Sequence, residues 1–497
     1  MAGKRKKTHW AVRRKLKHAR GGDGPRAADD NDRQQQHTDR RVDRVETVHP
    51  GSYAAQRPHV ASTTAATVLP PKRRYGLWVA FCGKNYSGMQ MNEGVRTIEA
   101  ELERALFEAG GIAESNYGFL QKIGWSRAAR TDKGVHAAGQ LLTAKLHVDE
   151  GDDKVLAFVA GVNSALPKDI RVLQMVTVTK NFNAKMMCDQ RTYEYLAPTF
   201  IFGQRTRCVG LEDKKKRHED GEREATQWTV DACDVEKDGS DHIVIDSPTL
   251  EAHKAFRMSE DTLKQLDAAL QQFVGTHNFH NFTSKMEPTN PQAKRYIISF
   301  EVDRPFVQYE MEWVRLRVVG QSFLLHHIRK MIGTAVEVVS GMCDPSTIER
   351  AMQLTKMDLP KAPSVGLYLA QAHFEVYNLK MADSIQTSHP LLDLKEPAVA
   401  DAVEQFKRDF IFDHIMKHEE CTRTYAKWLR IMEVLPFDYI PKSYLEWKKA
   451  KEDEAARTDR AGRRELAKLA RAAEATVQAV TSVETKVVLQ ADIVAAD

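Results

Sequence analysis

The chain is expected to fold as an α+β protein in two similar lobes, and three features point that way. Past Pro70-Pro71, strand-like segments and helical segments follow one another, and their repeats switch between two and about 3.6 residues. The strands alternate apolar with polar side chains, the pattern of antiparallel sheets carrying flanking helices. At 497 residues the chain exceeds one ordinary domain of about 100–200 residues, which predicts two packed lobes plus tails. The boundaries read as a disordered basic tail over 1–72, an N-terminal lobe over 73–190 and a C-terminal lobe over 191–380 with a polar insertion at about 208–250.

The tail holds Gly21-Gly-Asp-Gly24 and Gln34-Gln-Gln36 and few large apolar residues. Residues 1–20 contain Lys4, Arg5, Lys6, Lys7, Arg13, Arg14, Lys15, Lys17 and Arg20 and no acid. The tight Lys4-Arg-Lys-Lys7 cluster predicts a nuclear address; a mitochondrial presequence is the alternative. Tyr75 to Cys82 is strand-like, and Ile98, Leu102 and Leu106 then recur on one helical face. From Gln140 to Val148, apolar Leu142, Ala144, Leu146 and Val148 alternate with Thr143, Lys145 and His147, as in a half-buried strand. Val155, Phe158, Val159 and Val162 predict a second helix. Ile170 to Val178 and Arg191 to Leu196 predict strands, the latter with Tyr193 and Tyr195 on one face.

In the second lobe, Ser259 is a good N-cap followed by Glu260 and Asp261. Leu263, Leu266, Leu270 and Phe273 then form a buried stripe that Gly275 ends. Val314, Leu316 and Val318 alternate with Arg315 and Arg317, a strand with one basic face, and Phe323 to Gly341 reads as a mostly apolar helix carrying Arg329 and Lys330. The stretch from Trp447 to Ala479 is rich in Ala, Lys, Arg and Glu and predicts a solvated helix.

Composition narrows the function classes. A 42% hydrophobic content suffices for a large core, and no apolar run reaches the roughly 18 residues of a membrane span. The net charge of +5 is only mildly basic, so the placement of charge matters more than its sum. Cys82, Cys188, Cys208, Cys233, Cys343 and Cys421 form no C-x-x-C pair, which predicts reduced thiols rather than a disulfide frame or zinc site. His277 and His280 are spaced like metal ligands, but no carboxylate or thiolate completes a site nearby; packed or hydrogen-bonded histidines are expected.

The most informative segment is Arg127-Ala-Ala-Arg-Thr-Asp-Lys-Gly-Val-His-Ala137. It sets Asp132 between the guanidinium of Arg130 and the ammonium of Lys133, ahead of a glycine that frees the backbone. Such a carboxylate is expected to be ionised and suited to attack or charge stabilisation rather than proton donation. Read alone, the segment is more readily a plain loop in which Asp132 pairs with Arg130 and Gly134 takes a positive φ.

Ala128-Ala-Arg-Thr-Asp-Lys-Gly-Val-His-Ala137 resembles the catalytic segment of the TruA-type tRNA pseudouridine synthases, specifically their eukaryotic branch. Cys82-Gly-Lys-Asn-Tyr-Ser-Gly-Met-Gln90, Val162-Asn-Ser-Ala-Leu-Pro-Lys-Asp-Ile-Arg171, Arg191-Thr-Tyr-Glu-Tyr195, Gly320 to Gly333 and Pro360 to Leu367 resemble further blocks in the family's order. Gln405 to Ile415 and Lys427 to Ile431 resemble the branch's C-terminal helices, giving a helical extension over 381–445 and a charged tail over 446–497.

The resemblance implies the pseudouridine synthase fold, two lobes sharing a long bent, mostly antiparallel sheet with the active cleft across its middle. It implies isomerisation of specific uridines in tRNA on a flipped-out nucleotide, with no cofactor and no metal. By the same token Asp132 is the nucleophile, acting on the uracil ring or on the ribose, and Arg130 fills the vacated stack or holds phosphate. Tyr193 lies on the uracil face, where its hydroxyl is expected to take the proton from ring carbon 5; without the resemblance it is a strand aromatic. Arg329 ion-pairs with Asp132. A monomer with no membrane association is expected. Small nuclear or messenger RNA as the main substrate, and a non-catalytic RNA-binding or RNA-folding role, are the alternatives. Lys185 stands where the family usually has Arg, which replaces a bidentate phosphate grip with a point contact.

Overall fold

The computed structural model describes residues 48–56, 69–205, 247–284, 286–383 and 389–434, with short pieces between 437 and 457. The Lys4–Lys7 cluster, the Lys214-Lys-Lys-Arg217 run, Cys208, Cys233 and most of the charged C-terminal stretch lie outside them.

The strands are β1 (Lys72–Phe81), β2 (Ser126–Arg127), β3 (His136–His147), β4 (Ile170–Thr177), β5 (Gln190–Pro198), β6 (Gly275–Asn278), β7 (Lys294–Val302), β8 (Phe306–Gln308) and β9 (Met311–Gly320). They are followed by β10 (Thr355–Lys356), β11 (Leu367–His373) and β12 (Lys442–Ser443). Ten of them make one sheet in the order β4-β1-β3-β11-β5-β9-β7-β6, with β2 on β3 and β8 on β9. Its ladders are antiparallel except for a short parallel join of β3 to β11. This join brings the N-terminal strands against the C-terminal ones. The protein is therefore α+β with a large, mostly antiparallel sheet, as expected from the sequence.

Two rows of side chains cross the middle of the sheet. Ala137, Leu369, Tyr193 and Val318 stand abreast on one face. His136, Tyr368, Glu194 and Arg317 stand abreast on the other. Between its pairings of Val79 with Gln140 and of Phe81 with Ala137, β3 holds one extra residue, a bulge beside Gly139. The half-buried strand expected over 140–148 is instead buried on both faces for most of its length, Thr143 included. β3 is central, and hydrophobic clusters pack around Ala138 and Leu141 and around Leu142, Ala144 and Leu146.

Helix α1 (Ile98–Glu108) is capped by Thr97 and buries Ile98, Leu102 and Leu106 as their spacing predicts. In α2 (Asp152–Ala165) only Val162 is fully buried. Helix α3 (Glu260–Gln271) starts where Ser259 accepts from the Thr262 amide at 3.1 Å. It buries Leu266 and Leu270, while Leu263 is only half-buried. Gly275 has φ +111° but lies at the start of β6, after the helix has ended.

The helix expected from Phe323 to Gly341 is α4 (His327–Val339). His326, at φ 62°, leaves Phe323 and Leu324 in the preceding turn. No helix among the described residues is long and apolar enough to cross a membrane.

Residues 48–56 fall within the stretch read as a disordered tail, yet they pack. Ser52 is fully buried and donates to Glu103 at 2.6 Å, and the His49 amide donates to the Gly118 carbonyl. The buried carboxylate of α1 needs such partners, and this short polar piece supplies one.

Along the C-terminal extension, α5 (Pro397–Phe406) runs through a π-helical turn (Lys407–Phe412) into α6 (Asp413–Thr422). It covers the second row. Lys407 approaches Glu194 at 3.8 Å, Phe412 packs on Tyr368 at 5.9 Å between ring centroids, and His414 meets His136 edge-on at 5.3 Å. The basic face read from Arg315 and Arg317 is neutralised there. Arg317 donates to Glu194 at 3.2 Å, and both arginines pair with Asp303.

Candidate active site

The segment before β3 is held mainly through its backbone. The Ala128 amide donates to the Leu141 carbonyl, while its carbonyl accepts from Arg191 at 2.8 Å. Gln140 grips Ala129 at both ends: Oε1 accepts from the amide at 3.1 Å and Nε2 donates to the carbonyl at 2.7 Å. The Thr131 carbonyl accepts from the Met89 amide at 3.2 Å, and the Asp132 carbonyl accepts from Val135 at 3.2 Å.

Gly134 has φ +78°, the conformation expected of it. Gly88, at φ +94°, lets the opening turn approach so closely that a Cβ there would sit 3.0 Å from the Thr131 oxygen. Arg127 is anchored at 3.0 Å by Glu99, a buried carboxylate that also accepts from Trp125 Nε1 at 2.7 Å and from the Met91 amide at 3.0 Å. Burial pushes the Glu99 carboxyl up, against the pull of Arg127.

Out of this fixed frame Asp132 points into solvent-exposed space, with Arg130 and Lys133 exposed beside it. Among the described residues, neither cation forms an ion pair with Asp132, so the pairing expected of a plain surface loop is not made.

His136 sits immediately behind. It is fully buried, its Nδ1 accepts from the Gly83 amide at 2.9 Å, and its Nε2 lies 3.3 Å from the Val365 carbonyl. Burial holds the ring down at about 4, so at neutral pH it is uncharged, and its bonds place the proton on Nε2.

Tyr193 stands two strands from Ala137 in the first row and packs against both hydrophobic clusters. Its ring is met edge-on by Phe323, 5.3 Å between centroids at 82°. Burial pushes its hydroxyl up to about 12, with smaller upward pushes from Cys188 and Asp132 against a downward pull from Arg191. The hydroxyl therefore keeps its proton at neutral pH. In that form it can donate a hydrogen bond.

Arg329 is buried on α4, where its Nε donates to the Ala362 carbonyl at 2.6 Å and its own carbonyl accepts from the Ala362 amide at 3.0 Å. Three residues on, Val365 faces His136. The contacts described for Arg329 thus reach the Asp132 segment through 362–365 and His136.

His277 and His280 are tied to carbonyls, His277 to Val274 at 2.9 Å and His280 to Thr355 at 2.6 Å. Phe323, Arg191, Gln140 and Glu99 were not singled out in the sequence. Arg191 and Phe323 lie inside motif blocks, but their contacts cross distant segments and leave no local signal.

A family model described as tRNA pseudouridine synthase matches residues 269–375. Relatives extend the likeness over most of the chain. A pseudouridylate synthase 1 homolog of Mus musculus is 37% identical over 372 residues, 74% of this chain and 75% of its own. A tRNA pseudouridine synthase 1 of Yarrowia lipolytica is 31% identical over 471 residues, covering 86% and 88%. That of Saccharomyces cerevisiae is 34% identical over 347 residues, 63% of each. With a relative this similar across three quarters of its length, the chain belongs to the tRNA pseudouridine synthase family.

Proposed function

We propose that Asp132 is the nucleophile with which this tRNA pseudouridine synthase isomerises uridine. The reaction breaks the N1–C1′ bond, turns the uracil and forms the C5–C1′ bond; C5 loses a proton, N1 gains one, and no atom is left over. A carboxylate can carry the intermediate, either covalently or by charge, on the ring or on the ribose. The observation that carries this reading is the contrast at Asp132: an exposed carboxylate on a segment whose backbone is tied at Ala128, Ala129 and Thr131. Such a group is held in place without its charge being consumed by a partner.

The uridine is flipped out at a cost of a few kcal/mol of unstacking. Its base stacks on Tyr193, and the phenol donates a hydrogen bond to it. Arg130, exposed one residue before Thr131, fills the vacated stack or holds a phosphate. Arg329 stabilises the Asp132 side of the pocket from α4.

RNA binding rests on Lys and Arg contacts to phosphate and is strongly salt-dependent. The enzyme works as a monomer. The Lys4–Lys7 cluster directs it to the nucleus; a fluorescent fusion in which these four residues are alanine should leave the nucleus, and one that stays there would contradict the assignment. Pseudouridine mapping in cells lacking the protein, complemented with wild type or Asp132→Asn, tests the functional reading. Wild type alone should restore the missing tRNA positions. Restoration by Asp132→Asn would contradict the nucleophile, and missing sites confined to small nuclear or messenger RNA would contradict the substrate.

A further inference from the structure

Arg191 is the second residue of β5 and lies two residues before Tyr193, so both project from the same face of the sheet. Its two terminal nitrogens go to different places. One donates at 2.8 Å to the Ala128 carbonyl, four residues ahead of Asp132. The other donates at 2.8 Å to the Gln321 carbonyl, in the turn that carries Phe323 to the edge of the Tyr193 ring. The two carbonyls belong to opposite halves of the sheet, the first ahead of β3 and the second just after β9.

Among the described residues Arg191 forms no ion pair, so a half-buried cation is spent on two main-chain oxygens. A guanidinium is a planar, rigid fork, whereas an ammonium on a flexible stem cannot hold two acceptors at a fixed separation.

We propose that Arg191 is a positioning residue for the isomerisation: by bridging the Ala128 and Gln321 carbonyls it sets the gap between Asp132 and the wall formed by Tyr193 and Phe323, in which the uracil must turn. Too narrow a gap stops the rotation, and too wide a gap lets the cleaved base drift from C1′. The inference rests on Asp132 and Tyr193 acting on the base.

The test measures kcat and KM on a responsive tRNA for full-length wild type, Arg191→Lys, Arg191→Gln and Arg191→Ala, with thermal melts to check folding. A misplacement of about 1 Å costs about 100-fold in rate, so kcat should fall about 10- to 100-fold in Arg191→Lys, with KM within about threefold. Arg191→Gln should fall at least as far, and millimolar guanidinium should restore part of kcat to Arg191→Ala. If either folded variant, Lys or Gln, keeps a wild-type kcat, the inference fails. If that comes with a raised KM, Arg191 grips RNA instead. An active Asp132→Asn would sink the reading beneath; an unchanged kcat in the Arg191 variants would sink the bridge alone.

Discussion

Replacing His136 by Asn should weaken the protein at neutral pH and flatten its response to acid. Asn can offer Oδ1 to the Gly83 amide where His136 offers Nδ1, so this buried donor keeps an acceptor. What goes is the contact to Val365 and the edge of His414, a loss of about 1–3 kcal/mol at pH 7.5.

Titration works the other way. The ordinary value of 6.5 applies in the unfolded chain, and burial holds the folded ring at about 4, with His418 pushing in the same direction. His414 faces the ring and is itself held down at about 3, by burial first and then by His136, His418 and Lys84, with Asp413 pulling weakly the other way. The folded state therefore refuses a proton that the unfolded state accepts. The stability is complete above 6.5 and is lost as pH falls towards 4.

At pH 5.5, one unit below the unfolded value, this linkage costs the wild type about 1.4 kcal/mol, and the variant escapes it. Urea unfolding at pH 7.5 and 5.5 should show the deficit of His136→Asn shrinking by about that amount. Equal pH slopes for the two proteins would show that His136 accepts its proton in the folded state, and the neutral-ring argument would fail.

At Tyr193, Phe keeps the stack and loses the donor, so Tyr193→Phe should lose about 2- to 12-fold in single-turnover rate, a hydrogen bond's worth. Tyr193→Leu should lose a further 5- to 150-fold or so, the value of stacking a base on an aromatic. A loss above about 100-fold in Phe would instead make the hydroxyl the proton acceptor. Gly88→Ala places a Cβ 3.0 Å from the Thr131 oxygen at φ +94°, and should cost about 1–3 kcal/mol in urea unfolding together with a clear fall in kcat; unchanged stability and turnover would show that this turn does not brace the Asp132 segment. Because the two histidines with ligand-like spacing are spent on carbonyls, chelation should leave turnover intact on folded RNA. Loss of turnover that zinc restores would refute this.

Local chemistry made much of the fold legible. The Ser259 cap, the stripe of Leu266 and Leu270 and the spacing of Ile98, Leu102 and Leu106 each depend on residues within a turn or two. The Asp132 segment was legible for the same reason, since its charges and glycine are consecutive. What escaped depends on partners far along the chain. The bulge beside Gly139 is expressed in the pairing of β3 with β1, and the late start of α4 in the left-handed His326. The neutralisation of Arg315 and Arg317 needs Glu194 on β5 and Asp303 just after β7, neither of which is close to them in the chain. No periodicity announces that Arg191 joins the segment before β3 to the turn after β9, strands with two others between them in the sheet and far apart in the chain.

The account turns on Asp132, and the most direct measurement follows tritium at uracil carbon 5 under single-turnover conditions. Isomerisation must release that hydrogen when carbon 5 bonds to the sugar, whichever carbon the carboxylate meets. Purified wild type should release one tritium per pseudouridine formed, without added metal. Asp132→Asn, which keeps the shape and loses the charge, should bind the same tRNA within a few fold and release essentially none. Substantial release by the Asn protein, at a rate approaching wild type, would contradict the assignment of Asp132 as the nucleophile.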